Sequence, residues 1–352
     1  MTTVAAGFLT LALAGYPAWK EAARAATPSA PQQAGPMEPA SSGGAPAATT
    51  EQQDQQSAPI QSQQPLKVQV NLVNVFATVR DKHHAIIDNL NKSDFKVYED
   101  GVEQQIAFFS KEVDMPISLA ILMDTSGSMY RILNAEQDAA ARFVREVMRK
   151  RDEAAIISFD TDVDLLADFT EDTSALDRAI HRTAINVDAS GIGGTAGTIP
   201  SQGGGTNLYD AVYLACHDEL ASEAGRKAVV ILSDMEDTGS KVSETDAIES
   251  AQRSDAVIHV LLIRDFMATS GAGPGVANKM SSETGGRVID VHNDRSLDKA
   301  FDEITQELRS QYVIGYYPMN NKNDGTFRKI KVEVDQPDMK ILARKGYYAP
   351  RH

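Results

Sequence analysis

Residues 117–123 read Ile-Ser-Leu-Ala-Ile-Leu-Met, a nearly unbroken apolar run that stops at Asp124. A strand with water on one face alternates apolar and polar residues. A run that is apolar in both phases needs cover on both faces, as in a parallel sheet with helices on each side. Thr125-Ser126-Gly127-Ser128 follow, and a helical pattern begins near Met129. Asp124, Ser126 and Ser128 therefore fall on a turn at the carboxyl end of a central strand, the edge where open α/β sheets bind ligands.

One carboxylate and two hydroxyls at that spacing form a hard-oxygen set suited to Mg²⁺ or Mn²⁺. Ser and Asp before a helix also serve as ordinary caps, so the meaning of the turn depends on its partners. Two partners lie downstream. Gly203-Gly204-Gly205 leads into Thr206, just before a helical pattern over residues 208–220. The apolar run 228–232 is a second buried strand, and it ends in Ser233-Asp234.

Strand–Asp-x-Ser-x-Ser–helix, loop–Thr–helix and strand–Asp, in that order, resemble the von Willebrand factor type A domain. The segments GGGTNLYDAVYLA, RKAVVILSDMEDTGS and ARKGYYAP are similar to bacterial VWFA-related domain proteins, with the likeness running over residues 66–350. The resemblance implies a doubly wound, mostly parallel sheet of Rossmann-like form. It also implies a metal-ion-dependent adhesion site for Mg²⁺, Mn²⁺ or Ca²⁺ built from Asp124, Ser126, Ser128, Thr206 and Asp234. In the family the two Asp residues act largely through bound waters, so the cation keeps charge that an Asp or Glu of a protein partner can neutralise. The family usually has Gly after the third-motif Asp. Here the residue is Met235, whose side chain is expected to crowd the turn carrying Asp234.

Lys and Arg total 34 against 49 Asp and Glu, for a formal net charge of −15. That balance argues against nucleic acid or an anionic membrane surface as partner, since both require a basic footprint. Cys216 is the only cysteine, so no intrachain disulfide forms, and its place in an apolar helical pattern predicts a buried thiol. The chain has no Ser-His-Asp order, no His-Glu-x-x-His, no paired catalytic carboxylates and no phosphate-loop lysine after GIGGTAG. The reading is a binding module rather than an enzyme. A scaffold with a degenerate site and a metal-dependent hydrolase stand as the alternatives.

At the amino end, residues 4–15 form an apolar run of signal-peptide length, too short to span a bilayer, with Ala23-Arg24-Ala25 as a small-residue cleavage site. No charged residue precedes Val4, so the basic flank of a standard leader is missing. Residues 1–25 are read as a leader, and the Pro/Ala/Gln-rich residues 26–65 as a disordered tether. The expectation is a secreted or periplasmic protein without a stable transmembrane span in the mature chain.

Segments of β character, 66–112 and 312–352, flank the α/β domain at 113–311 and are predicted to pair into one small β-sandwich. Val68, Val70 and Leu72 alternate in one phase and Val73, Val75, Ala77 and Val79 in the other, which predicts a bulge or a shift between faces. Asp100-Gly101 predicts a hairpin between residues 95–98 and 106–109. Within the central domain the patterns predict helices at 131–149, 173–184, 244–253, 277–283 and 297–308. Strands are predicted at 154–159, 257–263 and 287–291, with an antiparallel edge strand at 163–169. The long Gly/Ser/Thr loop 186–205 adjoins the site, where it either shapes ligand entry or is a floppy insertion. His83 and His84 read as exposed loop residues, and His259 and His292 as packed or exposed side chains rather than ligands.

Overall fold

The computed structural model describes residues 72–111, 115–185, 205–263 and 273–351. The leader, the tether, the alternation at Val68 and Val70 with its bulge, and loop residues 186–204 lie outside the described residues.

Four strands precede the central domain: β1 (Val73–Arg80), β2 (Phe95–Glu99), β3 (Val102–Gln104) and β4 (Ile106–Lys111). The domain itself begins with β5 (Ile117–Asp124), α1 (Leu133–Val147), β6 (Glu153–Phe159), β7 (Val163–Thr170), α2 (Thr173–Ile180) and α3 (Leu208–Tyr213). It continues through β8 (Arg226–Ser233), α4 (Glu244–Ser254), β9 (Ala256–Ile263), α5 (Gly273–Thr284), β10 (Val288–Val291) and α6 (Asp294–Leu308). Strands β11 (Tyr312–Tyr316), β12 (Phe327–Val334), β13 (Lys340–Ala343) and β14 (Gly346–Tyr348) follow.

The central sheet has six strands in the order β10-β9-β8-β5-β6-β7. All neighbours run parallel except the edge strand β7, which is antiparallel to β6. Every residue of β5 is buried. Leu119, Ile121 and Met123 face the layer of α1, α2 and α6, while Ala120 and Leu122 face α3, α4 and α5. Full burial of each large aliphatic side chain contributes about 1.5–3 kcal/mol, so both phases of the strand stabilise the sandwich of layers. The chain winds from β5 outward through β6 and β7, then returns to β8 on the other side of β5. The strand order therefore reverses between β5 and β8, the position at which open α/β sheets form a ligand crevice at the strands' carboxyl ends.

The flanking segments form two four-stranded sheets, β13-β1-β11-β4 and β14-β12-β2-β3, each mixing strands from before and after the central domain. They share one core that includes Val75, Val79, Val97, Tyr312 and Tyr316.

Several local expectations are corrected. The turn at Asp100-Gly101 has φ of 47° and 83°, the geometry of a two-residue hairpin, but it joins β2 to β3. Strand β4 crosses at Gln105 into the other sheet and pairs with β11. The helix predicted over 173–184 stops at Ile180, because the Gln137 amide donates to the carbonyls of Ile180 at 3.3 Å and Thr183 at 2.8 Å. Those side-chain bonds satisfy carbonyls that a further turn would have used. The helix predicted at 277–283 starts earlier, at Gly273-Pro274, where proline suits a first turn. The pattern over 208–220 is helical, but it widens to a π turn at Leu214–Glu219. Residues 341–348 split into β13 and β14 in different sheets.

Candidate metal centre

Asp124 closes β5 and is buried. The Ser126 amide donates to its Oδ1 at 2.9 Å, and the Ser233 hydroxyl at the end of β8 donates to its Oδ2 at 2.6 Å. The carboxylate is thus held from both strand ends that border the crevice. Burial pushes the Asp124 carboxyl up to about 7, and the nearby Asp234 carboxylate adds to that rise, while the hydrogen bonds from Ser126 and Ser233 oppose it.

The turn after Asp124 is short and tight. Ser126 precedes a 3₁₀ turn at Gly127–Arg131, and its Oγ lies 3.0 Å from that of Ser128. Ser126 is half-buried and Ser128 exposed, so the hydroxyl pair stands on the solvent side of the carboxylate. Thr206 is buried and is tied to the loop after β8: its amide donates to Thr238 Oγ1 at 2.8 Å, and its carbonyl accepts from the amides of Thr238 and Gly239. The next amide, Asn207, donates to the Asp160 carbonyl at 2.7 Å, and Thr125 Oγ1 donates to Asp160 Oδ2 at 3.0 Å. Asp160 follows β6, so it links the Thr206 loop to the turn beside Asp124. Asp234 follows β8 directly, and its Oδ1 accepts from the Glu236 amide at 3.1 Å.

Residues 119–236, which include all of these positions, match the family model of the von Willebrand factor type A domain. Residues 119–236 are a von Willebrand factor type A domain. No curated protein matches the sequence. Among solved structures, the chain is similar to the conserved hypothetical protein BatB from Bacteroides thetaiotaomicron. That likeness is 18% identical, covers 55% of this chain and 100% of the other, and has a TM-score of 0.43. It is also similar to a von Willebrand factor type A protein from Catenulispora acidiphila, at 13% identity, 73% and 74% coverage and a TM-score of 0.45. The vWF domain of the type V pili tip protein Mfa5 from Porphyromonas gingivalis is 15% identical, with 56% and 96% coverage and a TM-score of 0.42.

In this A domain, Met235 does not crowd the turn. Its backbone is left-handed, φ 63°, the conformation that favours glycine at the position. Its amide donates to Ser233 Oγ at 2.8 Å, and its side chain is fully buried in the core on the α3, α4 and α5 side. The side chain therefore leaves the centre and packs beneath the sheet's other layer. Close packing of α5 supports the same turn: a Cβ on Gly273 would lie 2.1 Å from the Asp234 carbonyl oxygen.

Two A-domain residues around the centre are absent from the pattern read in the sequence. Ser233 adjoins the predicted Asp234, and nothing local marks its hydroxyl as the partner of Asp124. Glu136 lies in the first turn of α1, buried, with its carboxyl held well above the usual range by burial and by the charges of Asp124 and Asp234. Its signal was legible: Glu136, Ala140, Phe143 and Val147 share one helical stripe, so a charge interrupts an apolar face. The histidines divide as read, with His83, His84 and His292 exposed and His259 buried.

Proposed function

We infer that this is an exported binding module whose A domain uses a divalent cation to capture a carboxylate of a protein partner. The observation that carries the reading is the exposed hydroxyl pair of Ser126 and Ser128 beside the buried Asp124 carboxylate, at the point where the sheet order reverses. All the donors are oxygens, and they fit Mg²⁺, Mn²⁺ or Ca²⁺ rather than a soft metal. Asp124, Ser126, Ser128, Thr206 and Asp234 would hold the ion. Bound there, it supplies positive charge and a coordination position facing solvent.

The chain's own residues do the positioning. Ser126 and Ser233 fix both oxygens of Asp124, which leaves the two serine hydroxyls as the outward donors. Tyr130, 65% exposed just beyond Ser128, offers an aromatic surface beside them, of the residue type that anchors protein interfaces. The turned-away side chain of Met235 supports an intact site over a degenerate one. Among the described residues no helix is long and apolar enough to cross a membrane. Export and tethering rest on the sequence of residues 1–65.

Thermal denaturation of the full chain in EDTA and in Mg²⁺ tests the cation. At an ion concentration about a hundredfold above Kd the stabilisation is about 2.7 kcal/mol, and Asp124→Ala abolishes it. Partner capture requires the ion, fails in Thr206→Ala and is competed by free carboxylate at high concentration. A partner retained equally in EDTA and by the Thr206→Ala protein would end this reading.

A further inference from the structure

One buried acid stands outside the five-residue set. Glu136 is 0% exposed, and neither of its carboxylate oxygens has a hydrogen-bond partner. The charges that act on it are those of Asp124 and Asp234, both negative and both members of the proposed cation site. It forms no ion pair with a lysine or arginine among the described residues. The amino end of α1 offers only the partial positive charge of a helix terminus.

Neither protonation state satisfies this arrangement within the protein. An ionised Glu136 is a bare buried anion facing two others, and a neutral one is a buried hydroxyl without an acceptor. A leucine or methionine would suit the stripe shared with Ala140, Phe143 and Val147 far better. A cation among Asp124, Glu136 and Asp234 removes the conflict. The described residues contain no group of three acidic, His or Cys side chains able to hold an ion by themselves, so Glu136 is not part of a carboxylate cage. Its role is electrostatic and lies outside direct ligation.

We propose that Glu136, buried and without a hydrogen-bond partner in the first turn of the helix that follows the Asp124–Ser128 turn, is a charge-balancing residue of the cation site that acts through its charge and not as a ligand. This rests on the reading that the A domain binds such an ion. The proposal makes Glu136 a determinant of cation affinity, and it explains why a charge is kept on the apolar stripe of α1.

The test is Mn²⁺ binding by calorimetry on the full chain, with melting temperature in EDTA measured on the same samples. Wild type is compared with Glu136→Gln, which keeps the shape and loses the charge. The expected result is a Kd for Mn²⁺ raised about 10–100-fold, the usual effect of removing a residue that supports metal ligands. The melting temperature in EDTA at neutral pH rises in the same variant, because the amide needs neither a buried charge nor the uptake of a proton on folding. Glu136→Met, which fits the stripe without any polar atom, shows the same affinity loss and guards against a folding defect peculiar to the amide. A Glu136→Gln protein whose Mn²⁺ affinity stays within about twofold of wild type overturns the proposal and leaves the cation site standing. Wild type that binds no Mn²⁺ at millimolar concentration overturns the cation site, and this inference falls with it.

Discussion

The two edges of the central sheet treat buried charge in opposite ways. At the amino edge, acids meet bases. Arg80 pairs with Glu307 at 2.8 Å, Arg287 with Glu303 at 2.6 Å, and Arg309 with Asp152, whose other oxygen accepts from the Ile117 amide at 2.9 Å. At the carboxyl edge, acids meet acids: beyond the effect of burial, the Asp234 charge raises the proton affinity of Asp124, and the charges of Asp124 and Asp234 raise that of Glu136. Both edges are made from the same helices and strands, so packing does not account for the difference. The amino edge abuts the antiparallel sheets, and its ions are matched within the protein, as a structural joint requires. At the carboxyl edge the buried Glu136 has no hydrogen-bond partner among the described residues, and the proposed cation is what would balance it.

The largest effect that would break this comparison lies at the amino edge. Glu307→Gln leaves Arg80 buried without its counter-charge and should lower the unfolding free energy by about 3–5 kcal/mol in urea titration. The opposite sign is expected for Glu136→Gln in EDTA. If both variants destabilise equally, the two edges do not differ in kind.

A pH series sharpens the contrast. The folded protein, without a cation, favours protonated Asp124, whose carboxyl is raised from 3.8 to about 7. The native state therefore holds a proton that the unfolded chain has already released. That stability is fully present below pH 3.8 and is lost as pH rises through about 7. Glu136, raised by burial and by the charges of Asp124 and Asp234, acts in the same direction. In EDTA, the urea midpoint should fall between pH 4.5 and 7.5 by the equivalent of a few kcal/mol. Saturating Mg²⁺ should flatten the slope, because the ion favours the ionised carboxylates. A midpoint that climbs with pH in EDTA would contradict the like-charge reading.

A smaller effect concerns Met235. Replacing it with Gly relieves about 1 kcal/mol of left-handed strain but removes a fully buried side chain, which alone is worth about 2–5 kcal/mol. The net expectation is a loss of about 2 kcal/mol, with cation affinity unchanged by calorimetry. Smaller still is Ser233→Ala, which removes the bond to Asp124 and the acceptor for the Met235 amide. Its stability change should be about 1–2 kcal/mol, measured in EDTA.

Much of the fold was legible because its signals are local and periodic. An apolar run in both phases had to be a strand covered on both faces, and β5 is buried throughout. The same run fixes where Asp124, Ser126 and Ser128 stand, since a turn after a central parallel strand can only lie at its carboxyl edge. The interleaving of the flanking segments followed from their alternation on either side of the domain, and each outer sheet does draw strands from both. What the tertiary structure alone decided are the contacts between residues far apart in the chain. Strand β4 left its hairpin partner for β11 because sheet membership depends on which edge is available, not on local pattern. Helix α2 ended early where the Gln137 amide from α1 reached the carbonyl of its last residue, Ile180, and that of Thr183 beyond it. The direction of the Met235 side chain depended on a left-handed backbone and on a core assembled from three helices. Helical spacing put Glu136 on the buried stripe, but the charge facing it there was set by the ends of β5 and β8. Periodicity specifies which face a side chain occupies, and only the folded chain specifies what opposes it.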